Sequence, residues 1–432
     1  MKLRLSRMFW ISGLIVTVLF AVTPMESFSK AARTAKAKPA HETRAQKAQS
    51  PPVAQTATTT EGALHCDALS AILMDGLTGE VLYEQNPRLK IAPASFVKIM
   101  TLYLVFDALR AGQLKLDELV TVSEKAWRTQ GSKMFIKVGD RVKVEDLMKG
   151  VAIVSGNDAC IALAEHLSGS EEVFVSKMNE KAKLLGLQDT QFKNSDGMPA
   201  EGQQTSAMDM AILSRRYIED HPEAIALHST TEYEYNGIRQ GNRNTLLQKN
   251  IGVDGLKTGH VEESGYHLTA TAKRDGQRMI AVIMGCDKVR KRSPEAQKLL
   301  EYGFRNFSTV EAVKKDAAFG PVKVRRGKVK EVTLVAERYA WVTVPKGKEK
   351  MVSVVTQLPP VVTAPFQKGQ VLAKVLVQNE GKTVKEISLL SSSEVQKSLL
   401  PPWPVTGAII VGLLIVGLIW FWRFRRPQPK KY

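Results

Sequence analysis

A chain of 432 residues with 44% hydrophobic residues has room for two or three domains and enough apolar matter to bury their cores, which excludes a wholly disordered protein. The formal net charge is +18, yet no nucleic-acid-binding motif accompanies it. The excess reads as a solvated surface with basic segments beside a membrane.

Residues 1–29 have the form of a secretory signal peptide. Lys2, Arg4 and Arg7 precede the apolar run Met8 to Val22, and Ser27-Phe28-Ser29 offers small residues at the cleavage positions. An uncleaved anchor is the alternative, but the run is short for a span. Residues 30–62 are rich in Ala, Lys, Thr and Pro, nearly lack large apolar side chains, and read as a disordered basic linker.

A folded unit is predicted over 63–306. Ala68 to Asp75 is strand-like, Gly76 to Gly79 turns, and Glu80 to Tyr83 returns as a second strand. Pro93 then suits the start of a helix in which Phe96, Ile99, Met100, Tyr103 and Leu104 recur at helical spacing. Ser95 and Lys98 fall one turn apart on that helix and can touch. A serine oxygen needs a base to take its proton, and a neutral lysine one turn away can be that base. Ser95 at the helix N-terminus also sits where developing negative charge is favoured. On its own this pair is weak, since Ser27 and Lys30 share the spacing.

Ser155-Gly156-Asn157 precedes a helix over Asp158 to His166, and Lys257-Thr258-Gly259 falls just before the strand carrying Tyr266. The glycine there lets a substrate lie close to a strand edge. Gly265 to Ala270 and Arg278 to Gly285 are strands joined by an Asp275-Gly276 turn, and a helix over Ser293 to Tyr302 closes the unit. Strands at both ends and helices between predict an α+β domain with one antiparallel sheet. Cys66, Cys160 and Cys286 have neither metal-ligand nor redox-pair spacing, and it stays open whether Cys66 and Cys286 pair or are buried thiols. No His-Glu-x-x-His pattern suggests a zinc site, and neither metal nor cofactor is expected.

Residues 307–393 hold short β-rich runs, among them Val329 to Val332, Ala340 to Pro345 and Val371 to Val377. They predict a small all-β domain with a spacing or partner role. After a linker over 394–404, residues 405–422 carry no charge and support a transmembrane helix, with Trp403, Trp420 and Trp422 at its ends. Arg423, Arg425, Arg426, Lys430 and Lys431 follow in a basic tail over 423–432, which the positive-inside tendency puts in the cytoplasm. The folded units between signal and span then lie on the extracytoplasmic side.

The three motifs, Ser95-x-x-Lys98, Ser155-x-Asn157 and Lys257-Thr258-Gly259, form in this order the set of the penicillin-binding proteins and serine β-lactamases. Beyond them, the chain from Cys66 to Ser393 resembles the D-alanyl-D-alanine carboxypeptidases, the low-molecular-mass penicillin-binding proteins. The likeness takes in Leu73-Met74-Asp75, Asp158-Ala159-Cys160, Ser206 to Ala211, Asn236-Gly237-Ile238-Arg239-Gln240, Asn242-Arg243-Asn244 and Val253 to His260. The resemblance implies a transpeptidase/β-lactamase-like catalytic domain, a β-rich domain and a C-terminal membrane anchor at the bacterial inner membrane. It also implies removal of the terminal D-alanine from peptidoglycan stem peptides through an acyl-serine, with β-lactams as mimics. Ser95 would be the nucleophile, Lys98 its base and Ser155 a proton relay. Asn157, Lys257, Thr258, Gly259 and His260 would bind substrate, with the backbone N–H groups of Ser95 and His260 as oxyanion hole.

Several residues depart from the family pattern. Phe96 and Val97 replace the usual Leu and Thr, Val261 a common Thr, and Cys286-Asp287 a Gly-Arg pair. Asp254, Arg243 and Asp209 read as scaffold, His166 and Cys160 as core, and Tyr233 and Tyr235 as one face of a half-exposed strand. A β-lactamase or D,D-endopeptidase of the same fold is the enzymatic alternative, and a membrane-held wall-binding scaffold the non-enzymatic one. The spacing of Glu232 and Asn236 matches that of a β-lactamase deacylating glutamate, but their place in a strand-like stretch makes the match accidental.

Overall fold

In the computed structural model, residues 64–398 and 403–425 are described; the expected signal peptide, the basic linker and the tail beyond Arg425 lie outside the described residues. The central element is a five-stranded antiparallel sheet. Its strands run in the order Val81–Gln85, Ser70–Asp75, Gln277–Cys286, Gly265–Arg274, Val253–Val261. Asp275 and Gly276 both adopt positive φ, 48° and 83°, as the two-residue hairpin turn requires, and Arg274 pairs with Gln277 across it.

Gln277–Cys286 is buried along nearly its whole length because both faces of the sheet are covered. Ile280, Val282 and Met284 turn to the helical layer, while Met279, Ala281 and Ile283 meet Leu299, Leu300 and Phe304 of the helix Val289–Asn306. That helix starts four residues before the expected Ser293. Pro294 lacks a donor and favours the first turn of a helix, yet here the preceding turn forms, with Lys291 ion-paired to Asp287 at 2.7 Å.

The helix Val97–Arg110 lies at the centre of the helical layer. Val97 to Tyr103 are all buried, so the helix is enclosed all round instead of showing one apolar stripe. It touches Val144–Ala152, Asn157–Ser168, Glu171–Leu184 and Ala207–Asp220. Asn157–Ser168 opens on Asn157 of the second motif, so the enclosed helix, which begins just after Ser95 and carries Lys98, packs against the element that delivers that motif.

His166 departs from expectation. It lies at the surface at the far end of its helix, 2.8 Å from the Glu118 carboxylate, because helical rotation takes the sixth residue after Cys160 off the buried face. Cys160 is fully buried, and its thiol is pushed up to about 12 by burial. Cys66 and Cys286 are free and buried, their thiols raised to about 11 and about 12 for the same reason.

Val289–Asn306 runs directly into the strand Phe307–Val313, which pairs with Ala340–Pro345. A six-stranded sheet packs with this pair around Leu334, Val375, Val377, Ile387 and Leu389. The outermost strand, Val352–Gln357, is exposed along nearly its whole length. The joint to the catalytic unit is polar. Asp75, fully buried, accepts from the N–H groups of Leu77 and Thr78 at 2.8 and 3.0 Å and from the hydroxyls of Thr309 and Thr343. Thr78 and Thr343 also bond each other at 2.7 Å. The helix Trp403–Phe424 is apolar up to Arg423 in its last turn, with a mean hydropathy of 2.4 over its best 18-residue stretch.

Candidate active site

Three elements converge on one cleft. A short 3-10 turn, Ala94–Phe96, leads into Val97–Arg110 and holds Ser95 half-buried and reachable, with Lys98 fully buried one turn on. Asn157–Ser168 begins at the second motif. Val253–Val261, the edge strand of the sheet, carries the third on its unpaired side, beside the 3-10 turn.

The turn and the strand edge come together through glycine. Gly197 has φ 84°, and a Cβ there would stand 1.9 Å from the Ala94 carbonyl oxygen. At Gly259 a Cβ would reach 3.2 Å from the Ala94 Cβ and 3.4 Å from the Pro93 oxygen. Side chains at either place would push the turn that carries Ser95 outward.

The polar side chains form one continuous chain. Lys98 Nζ is 3.2 Å from Ser95 Oγ, Ser155 Oγ is 3.2 Å from Ser95 Oγ, and Lys257 Nζ donates to Ser155 Oγ at 3.0 Å. Lys98 also donates to Asn157 Oδ1 at 2.7 Å and to the Asp196 carbonyl. Asn157 is fixed in turn, its Nδ2 donating to the Gln130 carbonyl at 2.6 Å. Ser155 holds positive φ, 62°, a left-handed conformation that costs a non-glycine residue on the order of 1–3 kcal/mol and is found where geometry is functionally constrained.

The electrostatics are lopsided. Lys98, Ser155, Asn157, Lys257 and Thr258 are all buried, and neither lysine makes an ion pair among the described residues, though the buried Asp196 carboxylate lies within electrostatic reach of Lys98. Burial holds Lys257 well below the usual lysine range, and the nearby charges of Lys98 and Arg243 push the same way. Arg243 is an exposed cation within electrostatic reach of Lys257. An incoming carboxylate would therefore meet unneutralised positive charge in a poorly hydrated place.

Of the residues singled out in the sequence, Ser95, Lys98, Ser155, Asn157, Lys257, Thr258 and Gly259 gather in this cleft. His260 does not bring its ring there; the imidazole is exposed and stacks on Tyr266, centroids 4.0 Å apart, so only its backbone faces a site role. Asp254 clamps Arg278 at 2.7 and 2.9 Å, and Asp209 accepts from the Asp189 N–H at 2.7 Å and the Thr190 hydroxyl at 2.7 Å; both are scaffold. Glu232 is exposed and paired with Arg239 on the strand Glu232–Tyr235, whose tyrosines stack on its half-buried face.

Two histidines brace the cleft. Buried His228 bonds the Leu256 carbonyl through Nδ1 at 2.9 Å and the Tyr217 hydroxyl through Nε2 at 3.2 Å, which secures the strand just before Lys257. Buried His267 has Nε2 within 3.1 Å of both the Ala92 carbonyl and Ser264 Oγ, while Nδ1 accepts from the Gly285 N–H at 3.0 Å. It ties the segment leading to Ser95 to the sheet. Burial lowers His228 to about 3 and His267 to about 4, so both are neutral. Neither was visible as a support in the sequence, nor was the Asp196 carbonyl, whose role rests on backbone and leaves no residue-type signal.

Comparison with known proteins follows the same lines. Residues 55–288 match the family described as D-alanyl-D-alanine carboxypeptidase, and residues 307–397 match the C-terminal domain of penicillin-binding protein 5. The chain is 44% identical over 354 residues to D-alanyl-D-alanine carboxypeptidase DacC of Escherichia coli (strain K12), covering 80% of this chain and 88% of that one. It is 37% identical over 368 residues to DacA of the same organism, covering 83% and 90%. Among solved structures, penicillin binding protein 5 from Haemophilus influenzae aligns with a TM-score of 0.70 at 38% identity, covering 78% of this chain and 99% of that one. The ampicillin-bound penicillin-binding protein D2 from Listeria monocytogenes aligns at 0.52 with 32% identity over 56% of this chain and 99% of that one.

Proposed function

Since the chain belongs to the D-alanyl-D-alanine carboxypeptidase family, we propose that Ser95, Lys98 and Ser155 perform its acyl transfer and that Asn157, Lys257, Thr258, Gly259 and His260 hold the substrate. The protein is a serine-type carboxypeptidase that removes the terminal D-alanine of stem peptides and is a target of penicillin.

Ser95 Oγ attacks the carbonyl between the two D-alanines, and Lys98 Nζ accepts its proton across 3.2 Å. For this Lys98 must be unprotonated when substrate is seated. Asn157 and the Asp196 carbonyl orient the amine toward Ser95. The oxyanion is met by the N–H groups of Ser95 and His260; one such donor is typically worth about 3 kcal/mol. Ser155 lies between the nucleophile and Lys257 and delivers a proton to the departing amine. Lys257 and Thr258 take the terminal carboxylate. Water then releases the acyl group and leaves the stem peptide one D-alanine shorter.

The observation that carries this reading is the unbroken chain Lys98–Ser95–Ser155–Lys257 at 3.0 to 3.2 Å. Labelling with a fluorescent penicillin tests it: wild type should label and Ser95→Ala should not. D-alanine release that far exceeds nitrocefin turnover separates a carboxypeptidase from a β-lactamase. The surface pairing of Glu232 with Arg239 argues against a deacylating glutamate there.

The apolar C-terminal helix is a candidate membrane anchor. A single pass with the catalytic unit on the extracytoplasmic side, where peptidoglycan lies, fits the substrate. Protease digestion of intact spheroplasts tests the sidedness: the catalytic unit should be cleaved while the C-terminal tail is protected.

A further inference from the structure

A cleft of about 650 Å³ opens where the β-rich domain meets the catalytic unit, apart from the Ser95 cluster. One wall is Arg215 of Ala207–Asp220 and Arg278 of the central strand. The other is the loop residues Arg338 and Tyr339, Trp341 on the strand behind them, and Lys385.

The charges around it do not cancel. Arg278 is committed to Asp254 at 2.7 Å, Glu386 to Lys374 at 2.9 Å, and Arg215 lies 3.4 Å from Glu219. Arg338 and Lys385 make no ion pair among the described residues. Arg215 Nε is buried without a hydrogen-bond partner, which leaves a guanidinium donor unsatisfied beside the cleft. Burial and the charge of Arg215 hold Lys385 below the usual lysine range. Asp75 and Glu80 lie within electrostatic reach of Lys385, but neither forms an ion pair with it, and Arg338 has no ion-pair partner among the described residues, so the cleft keeps an excess of cations. Beside them the rings of Tyr339 and Trp341 are stacked 23° from parallel at 6.1 Å, with Tyr339 52% exposed. Such rings offer flat apolar faces with a polar edge, the surface a pyranose ring lies against. Concave sites with a few convergent polar groups favour domain junctions.

We propose that this cleft binds an anionic saccharide, the sugar on the Tyr339–Trp341 face and its acidic group between Arg338, Lys385 and Arg215. Given the proposed wall-directed function, on which the choice of ligand rests, that ligand is the peptidoglycan strand itself, its stem peptides supplying carboxylates. The cleft thereby holds polymer while Ser95 works on a stem peptide. A phosphate-bearing wall polymer presents the same chemistry, and the experiment separates the two.

Full-length protein in detergent carrying Ser95→Ala, which binds wall without consuming it, is co-sedimented with peptidoglycan stripped of phosphate polymers. The same is done with Arg338→Glu and Lys385→Gln added, and separately with Tyr339→Ala added. Binding should weaken about tenfold or more in both added variants. With Ser95 intact, the charge variant should keep wild-type fluorescent-penicillin labelling and wild-type D-alanine release from soluble pentapeptide, while release from pentapeptide-rich wall falls. Labelling also reports that the variant is folded. Unchanged sedimentation in both variants overturns the proposal. Binding that needs phosphate polymer on the wall, or is abolished by millimolar inorganic phosphate, overturns the peptidoglycan assignment. Failure of the unsubstituted protein to label would instead strike the acyl-transfer reading, whatever the sedimentation shows.

Discussion

The cleft and the β-rich domain handle polar groups in opposite ways. The catalytic cleft holds two buried lysines, a buried serine, a buried asparagine and the half-buried Ser95 in mutual contact with no ion pair among the described residues, the Asp196 carboxylate lying only within electrostatic reach of Lys98. The β-rich domain keeps a mainly apolar core around Leu334, Val375 and Leu389 and leaves most of its charges at the surface, where Lys374 and Glu386 pair at half exposure. A natural fold tolerates uncompensated burial where the desolvated groups have something to do. Activity should therefore be lost in one region and stability in the other.

The sharpest test of that division is Ser95→Ala. Removing a nucleophile that acts as part of a unit should lower acylation on the order of 10⁴-fold or more, read as penicillin labelling rate, with little change in melting temperature. Next is Lys98→Ala. Loss of the general base should slow acylation by about 10² to 10⁴, and retained acylation would refute the role.

In the β-rich domain, Leu389→Ala should do the reverse. Leu389 is fully buried, and its truncation should cost about 2–5 kcal/mol in denaturant unfolding while the acylation rate of the folded protein stays the same. An acylation rate that falls with it would break the comparison.

A smaller effect comes from pH. His228 and His267 are held neutral in the fold down to about 3 and about 4, whereas their ordinary value is 6.5. Between those limits the unfolded chain binds more protons than the native one, so stability falls as pH falls from 6.5 toward 4. The slope should approach about 1.4 kcal/mol per pH unit for each histidine. Denaturant midpoints across this range check it, and His228→Gln should flatten part of the slope. The smallest effect is at the surface. Lys374→Ala should change stability by less than about 1 kcal/mol, because the ion pair it breaks is solvent-exposed.

The cluster that gathers in the cleft was legible because it is made of side chains at fixed local spacing. Ser95 and Lys98 are one helical turn apart, and Lys257 to Gly259 lie consecutively on one strand. The hairpin at Asp275-Gly276 was legible for the same reason. What could not be read is what long-range packing decides. His228 and His267 look like any core histidine until the Leu256 and Ala92 carbonyls are brought against them. The helix over Val289–Asn306 overran the expected start at Ser293, because burial of Leu299, Leu300 and Phe304 on the sheet outweighs the single donor missing at Pro294. His166 was misplaced because residue type alone does not say which side of a helix is covered.

Asp75 joins the two regions that otherwise differ so much. It closes a turn of the catalytic sheet and, with the same carboxylate, receives two threonine hydroxyls of the β-rich domain, while Asn306 passes to Phe307 without a linker. The arrangement has a mechanical consequence. Load applied to the β-rich domain is not absorbed by slack between the domains. It arrives at the second strand of the sheet that carries Lys257, so a torque on one domain turns the other with it.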